Sequence, residues 1–203
     1  MSSRDDILGV IRANLPRVER PLPMVPLFGS ASPESLLPAF KDSLQRMGGI
    51  FLDPPADGDV LAPVHAKLAA AKVICSATPE VAGNRGITSM TTPQELADVD
   101  IGVVRAAFGV AETGSVLLHT TNLRINALAY LSQHLIVLLD PADLVANIHH
   151  AYRRHEFREQ AYASFHTGPS ATADIEGVLI HGAQGVRSLS VLPVARPADL
   201  ASH

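Results

Sequence analysis

The chain has 203 residues, 47% of them hydrophobic and 18% charged, with a formal net charge of −4. That length supports one domain with a sizeable core. With no basic stripe, no tryptophan and 4% aromatic residues, a nucleic-acid binder is not expected. Cys75 is the only cysteine, which excludes a disulfide framework within the chain and any cluster held by several of its own thiolates. It closes the apolar run Val73-Ile74 and reads as a buried strand thiol.

Ser3 caps a first helix running to about Asn14, with Ile7, Leu8 and Ile11 on one face. This start is charged and amphipathic, unlike a signal peptide, and no apolar stretch approaches the roughly 20 residues of a membrane helix. A cytoplasmic chain without a membrane span is expected. Residues 16–33 carry five prolines and no period, so they form an extended arm. Residues 1–33 are therefore a helix plus a proline-rich arm, and residues 34–203 the body.

From Glu34 the pattern alternates. A helix at about 34–47 precedes a strand at 49–52, and a helix at about 59–71 precedes a strand at 72–76. After the loop Gly83-Asn-Arg-Gly86 come a short helix at 92–97 and a strand at 101–105. The runs 107–111 and 115–119 flank Glu112-Thr113-Gly114, the spacing of a hairpin. A helix is expected at 123–131. The run His134 to Leu139 is apolar on both faces, as in a central parallel strand. Asp140, Pro141 and Asp143 then carry the signals of a helix start, and a helix holding His149, His150 and His155 follows. The chain closes with a strand at 162–165, a helix from Ala171 and a strand at 188–195. This alternation predicts an α/β fold, a mostly parallel sheet covered by helices on both faces.

The segment from His166 to Glu176 holds the most chemistry. A strand-to-helix turn at Gly168-Pro169-Ser170 would place Ser170 at a helix N-cap, where unpaired backbone N–H groups receive a small carboxylate or phosphate. On that helix Asp174 and Glu176 would point about 200° apart, so they cannot act as a pair. Thr172 and Asp174 join Ser170 as candidate ligand-binding residues. Glu112, at the end of an apolar strand, is the candidate catalytic carboxylate, with Thr113, Gly114 and Ser115 around it. Gly182 and Gly185 sit in a loop whose backbone is free to approach a ligand. These turns are expected to converge with Asn84-Arg-Gly86 at the carboxyl rim of the sheet. The histidine spacings offer no i, i+4 pair on a helix, so no metal site is expected.

Glu112-Thr-Gly-Ser115 after an apolar strand, the strand at 134–139 and Gly-Pro-Ser-x-Thr-Ala-Asp-Ile-Glu at 168–176 together resemble the LUD-domain family, in its lactate-utilisation protein C group. The resemblance spans Glu34 to Val194, making 34–203 the LUD domain. Two positions depart from it: Gly182-Ala-Gln-Gly185-Val stands for the family's Gly-x-His-Gly-Pro loop, and Ala171 for the basic residue after the serine. The resemblance implies a fold similar to glucosamine-phosphate isomerases, ribose-phosphate isomerases and coenzyme A transferases. It also implies a non-redox subunit of a complex that oxidises L-lactate to pyruvate. No cofactor is expected on this chain, with iron–sulfur clusters on partner subunits. The apolar composition adds a possible homo-oligomer. The alternative is an independent enzyme of the same fold, either a coenzyme A transferase with Glu112 as nucleophile or a sugar-phosphate isomerase.

Overall fold

The computed structural model describes residues 3–15, 21, 23–29, 32–88, 91–175 and 177–198. Its centre is a five-stranded, all-parallel sheet built from β1 (Ile50–Phe51), β2 (Ile74–Ser76), β3 (Ile101–Arg105), β6 (His134–Leu139) and β11 (Ser188–Pro193), in the order β1-β11-β6-β3-β2. The run at 134–139 takes the middle position because it is apolar on both faces. Leu135, Val137 and Leu139 enter one core, while Ile136 and Leu138 enter the other.

Each face is covered differently. Val64 and Leu68 of α3 (Ala62–Leu68) pack on the side of Ile136 and Leu138. The other face receives Phe40 and Leu44 of α2 (Pro33–Arg46), Leu128 of α5 (Leu128–Leu131), and Val116 and Leu118 of a second sheet. That sheet contains β4 (Phe108–Val110), β5 (Ser115–His119), β7 (Leu144–Val145) and β8 (Ala163–His166), in the order β7-β4-β5-β8. The expected hairpin is present as antiparallel β4 and β5. Helices thus share one face of the central sheet with strands.

Several elements differ from expectation. The single helix expected at 123–131 is two short ones, α4 (Thr120–Leu123) and α5, separated at Arg124, whose φ is 59°. The signals at Asp140 start only a 3-10 turn, Pro141–Asp143, because the chain enters β7 at once. The three histidines do not share a helix: His149 and His150 lie in α6 (Ile148–Ala151), and His155 opens α7 (His155–Arg158). The helix from Ala171 is not formed either. Residues there make β9 (Ala171–Ile175), antiparallel to β10 (Val178–His181), with a turn at Gly177 (φ 73°). Only six residues separate Ser170 from Gly177, too few to repay helix nucleation, whereas Val178-Leu-Ile180 offers a partner strand.

The N-terminal helix α1 (Ser3–Ala13) buries no residue. The arm crosses the body, where Asn147 Nδ2 donates to Phe28 O at 2.8 Å and Arg153 Nη2 donates to Val25 O at 3.2 Å.

Candidate functional site

The hairpin at 171–181 removes the helix N-terminus proposed at Ser170, so that segment offers no helix dipole to an anion. The structure nevertheless brings most of the predicted residues together. Ser170 N donates to Val186 O at 2.9 Å, and Gly182 N donates to Ser170 O at 2.6 Å. A Cβ added to Gly185 would lie 3.2 Å from the Ser170 Cβ. On the other side of this turn Ser115 Oγ is hydrogen-bonded to Thr167 Oγ1, and Thr113 Oγ1 to Ser115 Oγ at 2.8 Å.

Two glycines explain why these turns meet. At Gly114 (φ 66°) an added Cβ would lie 2.2 Å from Leu44 N, and at Gly168 (φ 64°) 2.2 Å from Met47 O. Both turns thus press their backbones on the C-terminal end of α2, in a conformation L side chains rarely adopt. Pro169 stacks beside Gly48 there. The meeting point is at the amino ends of β1, β6 and β11, not at the carboxyl rim, since Val186 and Gln133 immediately precede β11 and β6. Asn84 and Arg85 do not join it. Asn84 ties Lys72 O and Ile74 N at the outer edge, beside β2, and Arg85 pairs with Asp98.

Glu112 stands to one side. Its carboxylate is exposed, and Oε2 accepts from Ile148 N at 3.2 Å, at the first residue of α6. Its carbonyl accepts from Ser43 Oγ at 3.1 Å, and Ser43 Oγ in turn accepts from Arg46 Nη2 at 2.9 Å. Thr172 pairs with Ile180 in the hairpin. Asp174 lies on β9, while its side chain and all of Glu176 fall outside the described residues.

Sequence reasoning passed over a polar cluster beside this turn. The segment from Tyr162 to His166 alternates Tyr162, Ser164 and His166 with Ala163 and Phe165. Ala163 and Phe165 enter an apolar cluster with Phe108 and Leu117. On the opposite face Ser164 Oγ lies 2.8 Å from His166 Nε2, and Tyr130 Oη bonds Ser164 Oγ at 3.1 Å and also Tyr162 Oη. The Tyr130 and His166 rings sit with centroids 5.3 Å apart. The signal was in plain view as a period-2 alternation of polar and apolar residues.

Burial pushes the His166 pKa down to about 4, so the ring is neutral at pH 7. Burial also raises the Tyr130 phenol. Tyr130, Tyr162, Ser164, His166 and Ser170 therefore supply hydroxyls and a neutral imidazole, each able to donate or accept a proton in a hydrogen bond. Arg187 packs its Cα, Cβ and Cγ against Gly182 in the same turn.

Among the described residues no group of three or more His, Cys, Asp or Glu side chains could hold a metal ion, and no helix is long and apolar enough to cross a membrane. Cys75 is buried in β2, and that burial raises its thiol pKa. Residues 77–194 match the family model described as the LUD domain. A Neisseria meningitidis serogroup B protein described as uncharacterized is 29% identical over 147 residues, which is 69% of this chain and 63% of that protein. The chain thus spans less than two thirds of that relative's length. The crystal structure of a DUF162 family protein from Deinococcus radiodurans matches with a TM-score of 0.62 at 17% identity, covering 82% of this chain and 100% of that one. At that identity the likeness is one of fold.

Proposed function

The chain belongs to the LUD domain family, and we propose that it works in lactate utilisation, as a non-redox subunit of an assembly that oxidises L-lactate to pyruvate. One observation carries the ligand side of this reading. Two segments far apart in sequence, 166–170 and 182–185, meet beside Tyr130 and a neutral His166, while the turn at 113–115 reaches Thr167 from the other face of the sheet. In this reading Arg187 faces the carboxylate of the 2-hydroxy acid, and Ser170 and His166 face its hydroxyl. The family resemblance implies that the electrons leave through iron–sulfur clusters on partner subunits, and a single buried cysteine accords with that division of labour.

The test has two arms. Deleting the gene should abolish growth on L-lactate, and tagged protein from lactate-grown cells should co-elute with iron–sulfur subunits. Growth at the parental rate, with no second copy to cover, would refute the reading. A Ser170→Ala, His166→Gln double variant should keep the partners and lose lactate-dependent electron flow by roughly tenfold or more, the loss of about 1.4 kcal/mol of binding.

A second reading rests on Glu112, whose exposed carboxylate is held by one backbone N–H at the tip of a hairpin. A carboxylate so presented is able to attack an acyl-thioester. Incubation with acyl-coenzyme A donors and mass spectrometry of the Glu112 peptide separates the two. An acyl or coenzyme A adduct there favours the transferase, and its absence the lactate assembly.

A further inference from the structure

At the opposite end of the central sheet lies a cavity of about 440 Å³. Its walls come from the residues that follow the strands: Ala107 after β3, Asp140 after β6 and Arg196 after β11, with His119 closing β5 and Glu156 from α7. Open α/β sheets present ligands in such a place, beyond the carboxyl ends of their strands. The turn cluster described above lies at the amino ends, so the two sites are separate.

The acids around this cavity are held rigidly. Asp140 Oδ1 accepts from Ala142 N at 2.9 Å, and Oδ2 accepts from Arg196 N at 2.7 Å. Asp143 accepts from Arg196 Nη2 at 2.9 Å and from Arg154 Nη2 at 3.4 Å. Glu156 accepts from Arg154 Nε at 3.1 Å. An ionised carboxylate has about four lone-pair sites, so each retains acceptor capacity toward the cavity.

His119 is the exception to this satisfaction. It lines the cavity, is 8% exposed, and its Nδ1 is buried with no partner among the described residues. Burial lowers its pKa, with Glu156 opposing and Arg196 reinforcing the shift. A buried ring nitrogen left unpaired is uncommon in native proteins, and the ring that carries it forms part of this cavity's wall.

The lining selects the ligand's chemistry. Asp140, Asp143 and Glu156 stand against the two guanidiniums of Arg196 and Arg154, with His155 also on the wall, and this excess of carboxylates disfavours an anion. Each acid already faces an arginine or a backbone N–H, so what remains is hydrogen-bond acceptance rather than strong net charge. Several O–H donors on one small molecule match that wall, and Asn122, whose Oδ1 accepts from His119 N at 3.4 Å, adds its amide N–H donors. We propose that this cavity is a second binding site, for an uncharged polyhydroxylated molecule of monosaccharide to nucleoside size, held by His119, Asn122 and the rim carboxylates.

The full-length protein with isotope-labelled histidine rings is titrated with D-glucose, D-ribose and uridine, and separately with L-lactate and inorganic phosphate, while ring resonances are followed by NMR. At least one of the neutral compounds should shift the His119 signals saturably in the low-millimolar range or below. His119→Gln should abolish binding of that compound, followed by calorimetry. Thr121→Trp fills the mouth from an exposed position without touching the ion pairs, and should abolish the shift even where His119→Gln fails to fold. The proposal is overturned if no neutral compound moves His119, if lactate or phosphate moves it at lower concentration, or if the shift survives in Thr121→Trp.

Discussion

At His166 burial lowers the imidazole pKa from 6.5 to about 4, which couples stability to pH in a defined direction. The unfolded chain takes up the proton first as pH falls, so stability is complete above about pH 6.5 and is lost progressively toward pH 4, by about 3 kcal/mol in all. His166→Gln should flatten that part of the profile in urea titrations at stepped pH, and an unchanged slope between pH 4 and 6.5 would contradict the assignment. His119 shifts in the same direction and adds to the same limb. Gly114 is the other residue on which much depends. Gly114→Ala meets the α2 backbone and an unfavourable φ, and should cost about 3 kcal/mol by chemical denaturation.

At the scale of elements, the parallel strands β3, β6 and β11 carry the core. Leu138→Ala in β6 empties a fully buried position and should cost about 2–5 kcal/mol. Hydrogen exchange should rank the amides of β6 slowest and those of α1, which buries nothing, fastest. These strands were legible from sequence because a strand buried on both faces must be continuously apolar, and His134 to Leu139 is such a run. The hairpin at 171–181 was misread for an equally physical reason. Ser170 followed by Ala171-Thr-Ala satisfies the local rules for a capped helix, but the decisive term is a nonlocal pairing with Val178 to His181. The same limit applies at 140–145, where capping signals are present and pairing of β7 with β4 wins.

For the molecule as a whole, the parts differ in how much they depend on one another. Ile7, Val10 and Ile11 of α1 are more than half exposed. A chain lacking residues 1–15 should keep its Tm within about 2 °C, since little apolar surface is lost from the core. A fall of 10 °C or more in a thermal scan would show that α1 is seated on the body. The central sheet also separates two sets of polar groups, with the Ser170 cluster at its amino ends and the His119 cavity at its carboxyl ends.

Much of this was settled by the chain itself. The apolar runs determined which segments become central strands, the spacing around Glu112 determined a hairpin, and the Gly-Pro-Ser run marked the family. Periodicity also contained the polar face of β8, although only its alternation with Ala163 and Phe165 reveals it. Tertiary structure alone decided where those turns meet, because Gly114 and Gly168 approach a helix end about 70 and 120 residues away, beyond any local signal. It alone decided that His119 would be buried beside a cavity with its Nδ1 unpaired among the described residues, since Asp140, Glu156 and Arg196 reach that cavity from three other elements.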